Sequence, residues 1–125
     1  MSGKKILIID DELYLFELLK ERLEFNGYEV MQLDTGANAQ AVIMEKKPDL
    51  IILDIMLPDN NGYDICYEIK HTEETASIPV IIFTAKEDWK KRIEEMCQYV
   101  KADDYVAKPF EPQELLDKIK RLIKE

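Results

Sequence analysis

Short apolar runs recur along the chain, and each is followed by a segment with helical periodicity. The runs begin at Lys5 (KILII), Glu29 (EVMQL), Leu50 (LIIL), Pro79 (PVIIF) and Asp104 (DYVA), at spacings of 24, 21, 29 and 25 residues. β-Branched residues are frequent in them, as strands prefer. The clearest helix comes last: Leu115, Leu116, Ile119, Leu122 and Ile123 share one face of a 3.6-residue wheel. Pro112 stands near its first position, and Lys and Arg gather at its end, where the helix dipole favours them. Alternating strands and helices predict a parallel sheet covered on both faces. Residues 6–9, 50–53 and 80–83 are nearly all apolar, as such a sheet requires. The expected fold is α/β, a (βα)5 doubly wound domain over residues 1–125.

Length and composition narrow the function. A chain of 125 residues suits one domain and buries roughly two thirds of its unfolded surface. With 26 acidic against 17 basic residues, the net charge of −9 repels nucleic acid and anionic membrane, so no direct nucleic-acid or membrane binding is expected. Cys66 and Cys97 lack metal-ligand spacing and read as small buried hydrophobes of a reducing compartment. No apolar stretch approaches bilayer length, and MSGKKILIID is not a signal peptide, so a cytoplasmic location is expected. His71 stands among polar residues and reads as plain surface.

The stretch LIILDIMLPDNNG (50–62) places Asp54 at the tip of the most hydrophobic segment, with Pro58 and Gly62 following as turn signals. A carboxylate there is poorly solvated unless something compensates it. In an open parallel sheet, ligands bind beyond the carboxyl ends of the strands. The first strand ends in Asp10-Asp11, the third in Asp54 and the fourth in Thr84-Ala85, while the fifth is followed by Lys108. Taken singly, each has an ordinary role: a helix cap for Asp10 or Asp11, a turn for Asp54, a strand residue for Thr84, solvated surface for Lys108. Taken together they bring three carboxylates, a hydroxyl and an ammonium to one edge. Clustered carboxylates repel one another, and a divalent cation relieves them; few oxygen ligands with room for water suit Mg²⁺, with Mn²⁺ as a substitute. Such a set forms a phosphoryl clamp in which Asp54 serves as the nucleophile.

The pieces ILIIDDE (6–12), PDLIILDIMLPDNNG (48–62), IPVIIFTAK (78–86) and ADDYVAKPF (102–110) resemble the response-regulator receiver domain, CheY-like, over essentially the whole chain. The resemblance implies a flavodoxin-like sheet of order 2-1-3-4-5, with no output domain in these residues. It implies Asp54 as phosphoacceptor, and Mg²⁺ held by Asp11, Asp54 and the Met56 carbonyl, with Asp10 acting through a metal-bound water. Thr84 is implied to bind the phosphoryl oxygen, Ala85 to leave room for it and Lys108 to pair with it. Lys108 is expected to end at the surface, with a cis peptide before Pro109. Tyr105 matches the switch aromatic of the family. Lys101 stands where receivers often carry glycine, so the turn into the fifth strand is expected to differ. Asn60 replaces a commonly apolar residue, and Met56 and Lys86 occupy positions that vary within the family.

The implied function is a two-component signalling module. It takes a phosphoryl group from a sensor histidine kinase or histidine phosphotransfer protein and is not a turnover enzyme on an outside substrate. Thr84 and Tyr105 are expected to relay the change to the face built from the fourth helix, fifth strand and fifth helix. Trp89, Tyr99, Lys101 and Asp104 are expected there for a downstream effector or a homodimer. In the first helix, Leu13, Phe16, Leu19 and Leu23 form a core stripe, while Leu15, Leu18 and Arg22 lie to one side as a possible kinase-docking patch. A haloacid-dehalogenase-like phosphohydrolase also uses a strand-tip Asp, but Met56 stands where it needs a second one. A flavin carrier of this topology needs a Ser/Thr/Gly-rich loop where this chain has DDEL.

Overall fold

The computed structural model describes residues 3–55, 61–84, 90–108 and 110–123. Five strands alternate with five helices: β1 (Lys5–Ile9), α1 (Leu13–Phe25), β2 (Glu29–Leu33), α2 (Ala39–Lys46), β3 (Leu50–Asp54), α3 (Gly62–Lys70), β4 (Val80–Thr84), α4 (Lys90–Val100), β5 (Asp104–Ala107) and α5 (Pro112–Ile123). The strands form one parallel sheet in the order β2-β1-β3-β4-β5. The order reverses between β1 and β3, which opens a crevice beyond their carboxyl ends.

The pleat divides each central strand between two cores. Ile6, Ile8, Leu50, Ile52, Ile81 and Phe83 face α1 and α5, packing on Phe16, Leu19, Leu23, Leu115, Leu116 and Ile119. Leu7, Ile9, Ile51, Leu53, Val80 and Ile82 face α2, α3 and α4. Every residue of β3 and β4 is buried, which explains their unbroken apolar runs. Each fully buried aliphatic side chain contributes roughly 1.5–3 kcal/mol, enough to hold a strand-tip carboxylate in place against its desolvation.

Cys66 and Cys97 are both buried and unoxidised on α3 and α4, and burial pushes their thiols up to about 12 and about 11. His71 caps the end of α3, exposed, with its ring stacked on Tyr67 at 3.8 Å between centroids. Lys101 takes φ +64°, so the turn into β5 keeps the left-handed geometry that a glycine adopts freely, with lysine bearing its cost. Leu13 departs from the expected core stripe: it is 63% exposed, because the first residue of α1 sits past the last residue of β1. At the amino edge of the sheet, Lys70 is enclosed (7% exposed), bonding the Ala76 and Ile78 carbonyls and pairing with Asp103 at 2.7 Å. No helix among the described residues is long and apolar enough to cross a membrane.

Candidate functional site

The strand tips deliver the side chains of the site. Asp54 is the last residue of β3, still within the ladder opposite Phe83 of β4, and its side chain is 7% exposed. Asp10 follows the last residue of β1, and its N–H donates to the Leu33 carbonyl at 2.9 Å. Its side chain is fully buried, and its Oδ1 accepts the Glu12 N–H at 2.8 Å, folding the β1–α1 turn around the carboxylate. Lys108 follows β5, anchored by its N–H to the Thr84 carbonyl at 2.7 Å. Its Nζ reaches Glu12 Oε1 at 2.6 Å, Asp54 Oδ2 at 3.0 Å and Asp10 Oδ2 at 3.4 Å. The ammonium is therefore enclosed by carboxylates rather than set out at the surface. Its position along the chain brought the lysine to this edge beside the carboxylates, but how far its side chain turns inward depends on contacts between distant segments.

Burial is the largest influence on Asp10, raising its pKa to about 6; the Asp54 and Glu12 charges add to the rise, while the Glu12 N–H and Lys108 oppose it. Burial pulls Lys108 down, but its hydrogen bonds to Glu12 and Asp54 and the charges of Asp10 and Asp54 outweigh this, leaving it above the ordinary lysine value. Thr84 ends β4, and its buried hydroxyl has no hydrogen-bond partner among the described residues. Such an atom costs about 1–3 kcal/mol if left without one.

Carboxylate oxygens of Asp10, Glu12 and Asp54 lie within 4.8 Å of one another. Asp11 is exposed and stands outside this group, because the turn points successive residues to opposite sides. Glu12 was not singled out from the sequence, although the run Asp-Asp-Glu at a strand end was the available signal. Met56, Pro58, Asn60, Ala85, Lys86, Trp89 and Pro109 lie outside the described residues. Leu15, Leu18 and Arg22 of α1 line a groove of about 540 Å³ that continues past Phe110 and Pro112 to Glu12 and Lys108.

The family model of the response regulator receiver domain matches residues 6–120. The chain belongs to this family. Its relatives include the phosphate regulon transcriptional regulatory protein PhoB of Pseudomonas aeruginosa, 42% identical over 99% of this chain and 53% of that protein. Among solved structures, the receiver of a signal transduction histidine kinase from Syntrophus aciditrophicus is similar with a TM-score of 0.87 and 32% identity, covering 97% of this chain and 90% of that one. The receiver of the sensor histidine kinase PA1611 from Pseudomonas aeruginosa matches at TM-score 0.86 and 29% identity, over 99% of this chain and all of that one; it holds a magnesium ion in its active site cleft. This receiver spans about half the length of the curated relatives it matches. Its acidic pocket lies at the carboxyl end of the sheet, where the strand order reverses.

On the face of this receiver made by α4, β5 and α5, Tyr105 is half-buried, and its hydroxyl donates to Glu94 at 3.2 Å. Asp104 is occupied within the chain, bonding Lys118 at 3.1 Å and Arg121 at 2.5 Å. Tyr99 is 67% exposed and Lys101 is exposed.

Proposed function

We propose that this receiver accepts a phosphoryl group on Asp54. The observation that carries the reading is the buried strand-tip carboxylate of Asp54, 3.0 Å from the Lys108 ammonium and grouped with two further carboxylates. A carboxylate oxygen of Asp54 attacks the phosphorus of a phosphohistidine on a sensor kinase or phosphotransfer protein. One P–O bond forms, one P–N bond breaks, and the leaving imidazole takes a proton from water. Lys108 pairs with a phosphoryl oxygen, and the Thr84 hydroxyl, without a hydrogen-bond partner among the described residues, gains an acceptor. The acceptor is the protein's own side chain, so this is self-modification rather than turnover of an outside substrate.

An all-oxygen set around a desolvated Asp10 fits Mg²⁺, or Mn²⁺ in its place. Asp10 and Asp54 would hold it, with the Met56 carbonyl expected from the family resemblance; Asp11, exposed and outside the carboxylate group, would have to turn inward to join them. When bound, the cation neutralises charge on the transferring phosphoryl oxygens. The magnesium in the PA1611 receiver supports this reading.

Donor docking fits the groove on α1, where Leu18 is 51% exposed and Arg22 is exposed. Leu15 is half-buried against the core, so its truncation would mix stability with docking. One set of labelling reactions tests acceptor and docking together. Asp54→Asn should lose the phosphoryl mass added by acetyl phosphate with Mg²⁺; labelling at the wild-type level would sink the mechanism. Leu18→Ala with Arg22→Ala should accept from acetyl phosphate normally but from the cognate kinase about tenfold more slowly. Equal loss from both donors would argue against the docking role.

A phosphoryl group adds roughly −1.5 to −2 charge at Asp54. Thr84 moving towards it would vacate space that Tyr105 on the adjacent β5 enters, releasing its bond to Glu94 and changing the α4-β5-α5 face presented to an effector or a second copy. Beryllofluoride, a phosphoryl mimic, should therefore shift the self-association or effector binding of wild type but not of Thr84→Ala. A full response in that variant would rule out the route.

A further inference from the structure

Glu12 is the first residue flanking α1, in the N-cap position, yet its side chain makes no capping bond. It crosses instead to Lys108, forming the shortest of the three contacts to that ammonium. An ammonium has three protons, and here three carboxylates take them, so none is left for a phosphoryl oxygen. One carboxylate must give way before Lys108 can act as the phosphoacceptor reading requires.

The three differ in freedom to move. Asp10 is fully buried and tied by the Glu12 N–H, and Asp54 is enclosed on the β3 tip. The Glu12 side chain is 57% exposed, and Lys108 is its partner among the described residues. Released, it is hydrated at little cost, whereas a released Asp10 would leave a charge uncompensated in the interior. We propose that Glu12 is a latch on Lys108: it holds the ammonium in the resting site and yields it to the arriving phosphoryl oxygen, swinging into solvent. Glu12 is thus a positioning residue, and it lowers the resting affinity of the pocket for phosphoryl groups. The proposal rests on the phosphoacceptor reading above.

The test is beryllofluoride binding to the full chain at saturating Mg²⁺, followed by NMR, for wild type, Glu12→Gln and Glu12→Asp, each also with Lys108→Ala. Glu12→Gln removes the charge; Glu12→Asp keeps it but falls short of the ammonium. Both should bind the mimic about two- to fivefold more tightly than wild type, the range expected for a partly exposed ion pair. The gain should vanish when Lys108 is alanine. Unchanged or weaker binding in Glu12→Gln overturns the latch, as does wild-type behaviour of Glu12→Asp, which assigns the effect to the general field. A gain that persists without Lys108 overturns it too. So does a tenfold loss of Mg²⁺ affinity in Glu12→Gln, measured without the mimic, which makes the residue a cation ligand. Failure of wild type itself to bind the mimic overturns the phosphoacceptor reading and the latch with it; failure confined to the Glu12 variants overturns the latch alone.

Discussion

Gly62→Ala is expected to be the most damaging single-methyl change in the protein. Gly62 opens α3, and its N–H donates to the Ile55 carbonyl at 3.1 Å, drawing the helix start against the end of β3. A Cβ there would fall within the contact distance of the Ile55 Cα and 2.5 Å from the Asp54 carbonyl oxygen. Both are backbone atoms at the paired end of a buried strand, so no side chain can rotate aside. Alanine at an ordinary helix position gains about 1 kcal/mol over glycine; here overpacking reverses the sign and costs about 3 kcal/mol. The melting temperature should fall by about 10–15 °C. The residual folded protein should also label poorly, because relief of the clash displaces the strand tip that carries Asp54. A thermal melt of the variant within about 2–3 °C of wild type, less than 1 kcal/mol on that scale, would show that the helix start has room to retreat.

Asp10→Asn is expected to stabilise the protein at neutral pH while impairing the site. Burial, with the neighbouring charges of Asp54 and Glu12, raises the Asp10 pKa from 3.8 to about 6. The folded state therefore binds this proton more tightly than the unfolded state. Between those values stability falls as pH rises, and above the folded value the full penalty of the ionised group is present. Asparagine removes that penalty and keeps an oxygen to accept the Glu12 N–H. The gain at about pH 7.5 should be on the order of 2 kcal/mol, or about 5–10 °C in melting temperature. It should shrink as pH falls below about 6 and vanish near about pH 4. The same variant should bind Mg²⁺ more weakly. Melts at about pH 4.5 and about pH 7.5 decide the matter: an Asp10→Asn advantage that is the same at both values would contradict a raised pKa. A site whose charged form strains the fold without its ligands is what the proposed cation and phosphoryl pocket requires.

The alternation of apolar runs with helical periodicity determined the five elements, and complete burial between two helical layers determined that β3 and β4 read as continuous hydrophobic segments. The candidate site was legible for a related reason: a charged group at the end of such a strand is costly to desolvate, so its presence there marks a site that compensates it. Asp10, Asp54, Thr84 and Lys108 could be placed at one edge from their positions alone. Direction and reach were not legible, because they depend on contacts between distant segments. Only the tertiary structure turned Asp11 outward, brought Glu12 of the β1–α1 turn to Lys108, 96 residues along the chain, and drew that ammonium into the pocket. The exposure of Leu13 was likewise decided by the height of α1 above the sheet, which a helical wheel does not represent. Gly62 shows the same division: the sequence marked it as a turn, whereas the packing of α3 against the Asp54–Ile55 backbone leaves no space there for a side chain.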